Sequence, residues 1–153
     1  MKALTIWQPW ASLIMLGVKS VEWRGWRAPR FAVGQRFVVH ASMVDPRGHI
    51  RDLLTSDTRL RGSMGPNADL AKAKRALERF AAEPTLLPRG AGLGTACLGE
   101  SMRGDVLLGI TPKWGEALNF AWPLYELHVW EEPVPCRGAQ GFWDWPLPVA
   151  EAA

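Results

Sequence analysis

Cysteine is scarce in this chain of 153 residues: Cys97 and Cys136 are the only two, too few for a disulfide framework or a zinc site. Histidine is nearly as sparse. His40 and His49 lie near each other and His128 far away, with no carboxylate or cysteine at ligand spacing, which argues against a metal centre. No apolar run approaches the roughly 18 residues that a membrane-spanning helix needs. The first residues lack the basic start, apolar stretch and small-residue cleavage site of a secretory signal. The Gly-x-Ser-x-Gly elbow is missing, so a triad assembled on paper from Ser42, His128 and Glu126 has no support. These absences leave the expectation of a cytoplasmic protein with reduced thiols, no metal, no cofactor and no membrane partner.

What is present is tryptophan, nine residues in all, and an uneven charge. Hydrophobic residues make up 48% and charged residues 22%, the balance of a globular rather than a disordered chain. The length suits one domain with a core large enough to fold without staples. Residues 1–44 hold six Lys or Arg against one acid, and residues 45–90 nine against six. Residues 91–153 hold three against eight, so a basic front precedes an acidic back. Such asymmetry points to an anionic partner for the basic part.

The hydrophobic pattern predicts a strand over 3–7, then a helix opened by Gln8-Pro9, because proline is favoured in a first turn where its missing N–H costs nothing. Trp10, Leu13 and Ile14 share one helical face, and Gly17 supplies the stop. Residues 18–24 read as a second strand. Alternation puts Glu22 and Arg24 on one face with Val21 and Trp23 on the other, and leaves Lys19 in the turn. A loop carrying Arg24, Trp26, Arg27 and Arg30 leads to a strand over 35–41. Asp45-Pro46 opens a helix reaching Leu54 or Leu60, and Asn67 is the expected N-cap of another ending at Ala82 before Pro84. Arg61 to Gly65 reads as a flexible link between them. Strands are expected over 92–102, 106–110 and 121–131, with an edge strand at Pro133-Val134-Pro135. Gly90, Gly92, Gly94 and Gly99 precede no Gly-Lys-Ser/Thr, so they read as closely packed strand backbone rather than a phosphate loop.

The whole is α+β: a small mixed β-barrel with a short helix between its first two strands and a helical insertion over about 45–83. One domain is expected over 1–147, with the inserted segment reaching about residue 90 and a loose tail over 148–153.

Two arrangements draw attention. Lys19, Glu22 and Arg24 place three charges within six residues, among four tryptophans. As a surface ion-pair group they would contribute only about 0–1 kcal/mol; partly buried, Glu22 would orient Arg24 and leave Lys19 free for an anion or carbonyl. Trp7, Trp23, Trp122 and Trp130 fall in strands and read as core. Trp10, Trp26 and Trp143 fall at a helix start, a loop and a glycine-rich turn, where an indole can serve as a stacking platform.

The opening run Leu4-Thr5-Ile6-Trp7-Gln8-Pro9-Trp10-Ala11-Ser12-Leu13-Ile14, then Gly17-x-Lys19-x-x-Glu22-x-Arg24-x-Trp26 and Val38-Val39-His40-Ala41-Ser42, resembles the activating signal cointegrator homology (ASCH) family. Pro133-Val134-Pro135-x-Arg137-Gly138-x-Gln140-Gly141-x-Trp143 resembles its closing motif. The resemblance spans roughly 3–44 and 91–145, and the helical middle has no counterpart in it. It implies a PUA-like barrel whose cleft is lined by Lys19, Glu22 and Arg24, with Gln8, Trp10, Ser42, Gln140 and Trp143 from the same motifs and Trp26 and Arg27 from the adjoining loop. Some small members are amidohydrolases acting on acetylcytidine, with a lysine base and a threonine nucleophile. Lys19 and Arg24 match that motif; Glu22 stands where the threonine would be. A carboxylate cannot be that nucleophile, although it can activate a water, and the departure places the chain nearer the coactivator-like branch.

Three functional readings follow. The first is binding of nucleic acid, RNA or a single strand rather than duplex DNA, in a basic, tryptophan-lined cleft. The second is hydrolysis of an acylated or otherwise modified nucleoside, or a small amide, through Lys19 and Glu22. The third is a protein-interaction module built on the helices of 45–90.

Overall fold

The computed structural model describes residues 1–109, 119–146 and 148. The chain runs β1 (Lys2–Ile6), α1 (Trp10–Met15), β2 (Val21–Arg24), β3 (Arg36–Ala41), α2 (Arg47–Leu54), α3 (Asp57–Met64) and α4 (Leu70–Ala82). A 3-10 turn at Pro84–Leu86 leads into β4 (Ala91–Leu98), β5 (Met102–Arg103), α5 (Gly104–Leu108), β6 (Phe120–Pro135) and β7 (Phe142–Asp144). Among the described residues no helix is long and apolar enough to cross a membrane.

The strands follow the order β2-β6-β4-β3-β1-β7, with β5 also on β6. Among the described residues only β1 and β3 pair in parallel, Lys2 opposite Phe37 through Ile6 opposite Ala41; the other pairs are antiparallel. A parallel pair needs a long crossover, here the α1–β2 excursion. The sheet curls into a half-barrel, since the distant strands β6 and β7 meet in its interior. Trp122 stacks on Phe142 with ring centroids 6.1 Å apart, and Phe142 meets Phe37 edge-on at 5.6 Å. The fold is therefore the expected mixed α+β sheet with a helical insertion.

The two larger of three apolar clusters among the described residues share one wall. Leu4, Ile14, Phe37, Val39, Leu98 and Trp122 fill the curled sheet. Ile50, Leu53, Leu60, Met64, Leu77 and Phe80 fill the insertion, joined by Leu13 of α1 and Val18 beyond it. Helix α1 has barely two turns and would not hold alone. It persists because Ile14 faces one core and Leu13 the other, with Trp10 packed against both.

Several local expectations are corrected. The helix opened at Asp45-Pro46 ends at Leu54, the shorter of its two expected ends, because Ser56 caps a new helix by accepting the Arg59 N–H at 3.3 Å. Arg61–Met64 is helical rather than a flexible link. The cap of α4 is Asp69, accepting from Lys72 at 2.9 Å; Asn67 lies before it with φ +59°. Residues 106–108, expected to begin a strand, belong to helix α5; Ile110, and the tail expected over 148–153 apart from Pro148, lie outside the described residues. The two strands expected over 121–131 and 133–135 are one strand of 16 residues. It carries a bulge at Glu126, φ +49°, where the β4 register skips. The bulge reverses the alternation: Trp122 and Leu124 point into the sheet's core before it, and Leu127 after it. Arg36 holds the bulge through the Glu126 carbonyl at 2.7 Å and carboxylate at 3.0 Å. The β4 glycines answer to close packing, as expected; a Cβ at Gly92 would lie 2.7 Å from the rings of both Trp130 and Trp145.

Candidate functional site

A cavity of about 330 Å³ opens where β1, α1, β2 and α3 meet. Thr5, Ile6 and Trp7 line it from the end of β1, and Trp10 from the first turn of α1. Lys19, Glu22, Trp23 and Arg24 come from the chain entering and forming β2, and Ser63 from the last turn of α3.

Lys19 is 2% exposed. Its ammonium donates to the Val21 carbonyl at 2.6 Å and the Ser63 carbonyl at 2.8 Å, with Glu22 Oε2 4.0 Å away. The Ser63 carbonyl is one of the last in α3, where a helix leaves carbonyls without intrahelical partners and its dipole favours a cation. The Trp23 indole N–H donates to the same oxygen at 3.3 Å, and the Ser20 amide takes the Met64 carbonyl at 3.2 Å. The insertion is thus fastened to β2 by the residues that form the cavity. Gly65 permits the close approach: its φ is +95°, and a Cβ there would sit 2.9 Å from Val21.

Glu22 lies between two cations. Its Oε1 is 3.1 Å from Arg24 Nε, but the N–H is not aimed at that oxygen, and Nε is buried with no hydrogen-bond partner. The contact is an ion pair rather than a hydrogen bond. Arg24 also donates from Nη2 to the Thr5 carbonyl at 3.2 Å, with its Cζ 5.8 Å from the Trp122 ring and 6.0 Å from the Trp26 ring. Burial dominates both titrations. It lowers Lys19 to about 8, against the raising effect of Glu22 and with a further lowering by Arg24. It raises Glu22, against the lowering effect of Lys19 and Arg24. Fully ionised, the three side chains leave one net positive charge facing the cavity, suited to an anion or an electron-rich carbonyl.

Trp7 is 51% exposed although it lines the cavity. Its ring stacks with that of His49 of α2, centroids 5.2 Å apart at 26°, and His49 meets Trp10 at 4.8 Å. The Trp10 indole donates to Ser63 Oγ at 2.6 Å. The insertion therefore supplies both an aromatic rim and part of the wall. Pattern reading assigned Trp7 and Trp23 to the core and passed over Ser63, His49 and Thr5. Only the end-of-strand position of Trp7 before Gln8-Pro9 was a usable signal.

The remaining predicted residues lie elsewhere. Gln8 is fully buried and fully engaged, its amide donating to Ser12 Oγ and the Pro88 carbonyl and accepting from the Ser12 N–H. Ser42 is buried in the bend after β3, accepting from the Val44 N–H at 3.3 Å. Arg27 lies over Phe120, 5.0 Å from its centroid, and Trp26 is largely exposed beside Arg24. Gln140 is exposed and does not line the cavity. Trp143 backs the cavity wall: its indole donates to Thr5 Oγ1 at 3.1 Å, which meets His40 Nδ1 at 3.2 Å, while His40 Nε2 contacts the Cys136 carbonyl at 2.9 Å. A carbonyl can only accept, so Nε2 carries a proton, and in the neutral imidazole Nδ1 accepts from Thr5. Burial holds it below the usual histidine value.

No family model matches the chain, and no curated protein does. Among solved structures it is similar to an ASCH protein from Zymomonas mobilis, with 14% identity over 88% of this chain and 72% of that one and a TM-score of 0.46. Two single-substitution variants of that protein give 15% identity each over 88% of this chain, covering 72% and 74% of theirs, with TM-scores of 0.47 and 0.46.

Proposed function

We propose that this chain is an ASCH-type nucleic-acid-binding module that takes RNA or single strands, rather than duplex DNA, at the Lys19–Glu22–Arg24 cavity. The observation that carries the reading is convergence. Three charges packed within six residues of sequence face one concavity, beside a half-exposed indole on its rim. About 330 Å³ is near the lower end of ligand pockets, which run from about 300 to 1,000 Å³. It suits one splayed-out base with its sugar, and a stacked duplex offers no such group. Trp7 presents a face on which a base can stack, and the net positive charge meets phosphate or base carbonyls.

Fluorescence anisotropy with single-stranded RNA and DNA tests the reading. Affinity should fall steeply as salt rises. Trp7→Ala or Arg24→Ala should each weaken it by about 5- to 150-fold, the equivalent of about 1–3 kcal/mol per stacked base. Absence of binding at low salt to any single strand refutes it.

The opposed shifts of Lys19 and Glu22 favour a second reading, hydrolysis of an acylated nucleoside with Glu22 activating a water. Turnover of acetylcytidine that Glu22→Gln leaves unchanged would exclude that role.

A further inference from the structure

We propose that Lys19 captures a small planar aldehyde or ketone in this cavity as a Schiff base. The inference goes beyond nucleic-acid binding and does not rest on it. Its foundation is where the lysine nitrogen's hydrogens go. A neutral amine has two, and the structure offers two carbonyl acceptors, Val21 at 2.6 Å and Ser63 at 2.8 Å. With both engaged, the lone pair lies on the remaining side of the nitrogen, and Lys19 borders the cavity. A ring entering past Trp7 and Trp10 brings a carbonyl carbon to that side.

The protonation state needed is within reach. Lys19 as ammonium with Glu22 as carboxylate, and Lys19 as amine with Glu22 as acid, hold the same number of protons. Burial favours the second, lowering one group and raising the other. A nearby cation acts in the same direction on a catalytic amine, and Arg24 is that cation.

In the step itself, the amine attacks the carbonyl carbon, forming the C–N bond and opening the C=O double bond. One amine proton passes to the former carbonyl oxygen. Glu22 then protonates that hydroxyl, the C–O bond breaks and water leaves. The iminium keeps one N–H, and Glu22 is left as the carboxylate beside it. That single N–H can stay on the Val21 carbonyl, because the Ser63 carbonyl still accepts from Trp23 at 3.3 Å. No buried acceptor is stranded by the chemistry.

The test is site-resolved labelling of the full chain with pyridoxal and sodium cyanoborohydride at pH 7, followed by peptide mapping. Exposure alone predicts that Lys2 and Lys72 react and Lys19 does not. The expected result is the reverse. A group titrating at about 8 is about one-tenth neutral at pH 7, against fewer than about one in a thousand for an ordinary lysine near 10.4. Lys19 should therefore label at least about tenfold faster than Lys2 or Lys72, after allowing for its lower basicity. Glu22→Gln lowers Lys19 further by removing the carboxylate, but loss of the acid that expels water should outweigh that gain and slow Lys19 labelling, leaving Lys2 unchanged. Labelling that follows exposure overturns the proposal, and an unaltered Lys19 rate in Glu22→Gln overturns the role given to Glu22. A chain that binds RNA but leaves Lys19 unlabelled loses only this inference; one that is labelled but ignores RNA loses only the binding reading.

Discussion

Replacing Lys19 by methionine should change how stability depends on pH more characteristically than it changes stability itself. In the folded chain Lys19 titrates at about 8; in the unfolded chain an ordinary lysine titrates near 10.4. The folded state therefore resists protonating it, and burial of the ammonium costs about 3 kcal/mol wherever both states are protonated, by the 1.36 kcal/mol per unit relation. At 2% exposure, screening by water does little to reduce that figure. The sign follows from linkage. Between about 8 and 10.4 the unfolded chain binds more protons than the folded one, so stability rises with pH. The penalty is complete below the folded value and is relieved as pH climbs through it. Integration gives a gain of about 1 kcal/mol from pH 7 to 9 and roughly 2 kcal/mol by pH 10. Methionine has nothing to titrate, so Lys19→Met should lack that rise. The absolute stability of the variant also includes the Val21 carbonyl, which loses its donor at a cost of about 1–3 kcal/mol, but that term is the same at every pH. Urea denaturation of both proteins at pH 7, 9 and 10, followed by tryptophan fluorescence, isolates the lysine as a difference of differences. Parallel curves for the two proteins would show that Lys19 is not buried as an ammonium, and the account of the cavity would fail with it.

Three further substitutions test how the insertion is fastened. Gly65→Ala forces a Cβ to within 2.9 Å of Val21 at φ +95° and should cost about 1–3 kcal/mol, whereas Gly62→Ala inside α3, with open space around it, should stabilise by about 0.5–1 kcal/mol; equal effects in urea denaturation would contradict the close approach. Ser63→Ala removes the acceptor of the Trp10 indole and should cost about 1 kcal/mol. It should leave the Lys19 pH profile unchanged, because that contact uses the Ser63 main chain; a flattened profile would show that the hydroxyl matters there too.

Much of the half-barrel is legible in the chain, for a local reason. The first strand, the short helix stopped at Gly17 and the strand ending in Ala41 each show their period and punctuation within a few residues. The placement of Lys19 in the turn before β2 was also readable, because strict alternation would have turned it away from Glu22. The strand after Asn119 breaks register with β4 at two places: at the first, the bulge at Glu126 is held by Arg36, 90 positions away in sequence, and no local signal marks it. Asp69 and Ser56 show the same weakness at helix boundaries, where two or three neighbouring residues are equally acceptable caps and tertiary packing decides between them.

The sequence by itself determined the charge trio Lys19, Glu22 and Arg24, its tryptophan neighbours and the α+β character, because all of these are properties of composition and short-range spacing. The insertion's part in the site was decided only by the tertiary structure. Residues 45–65 read in one dimension as an inserted helix and a flexible link with no tie to the charge trio, yet the end of α3 supplies the carbonyl that holds Lys19, and α2 supplies the imidazole stacked on Trp7. A main-chain carbonyl carries no residue-type signature, and a stacking partner 42 positions away from Trp7 in the sequence leaves no periodicity. Both become visible only when α1, buried on two sides, brings the two cores together.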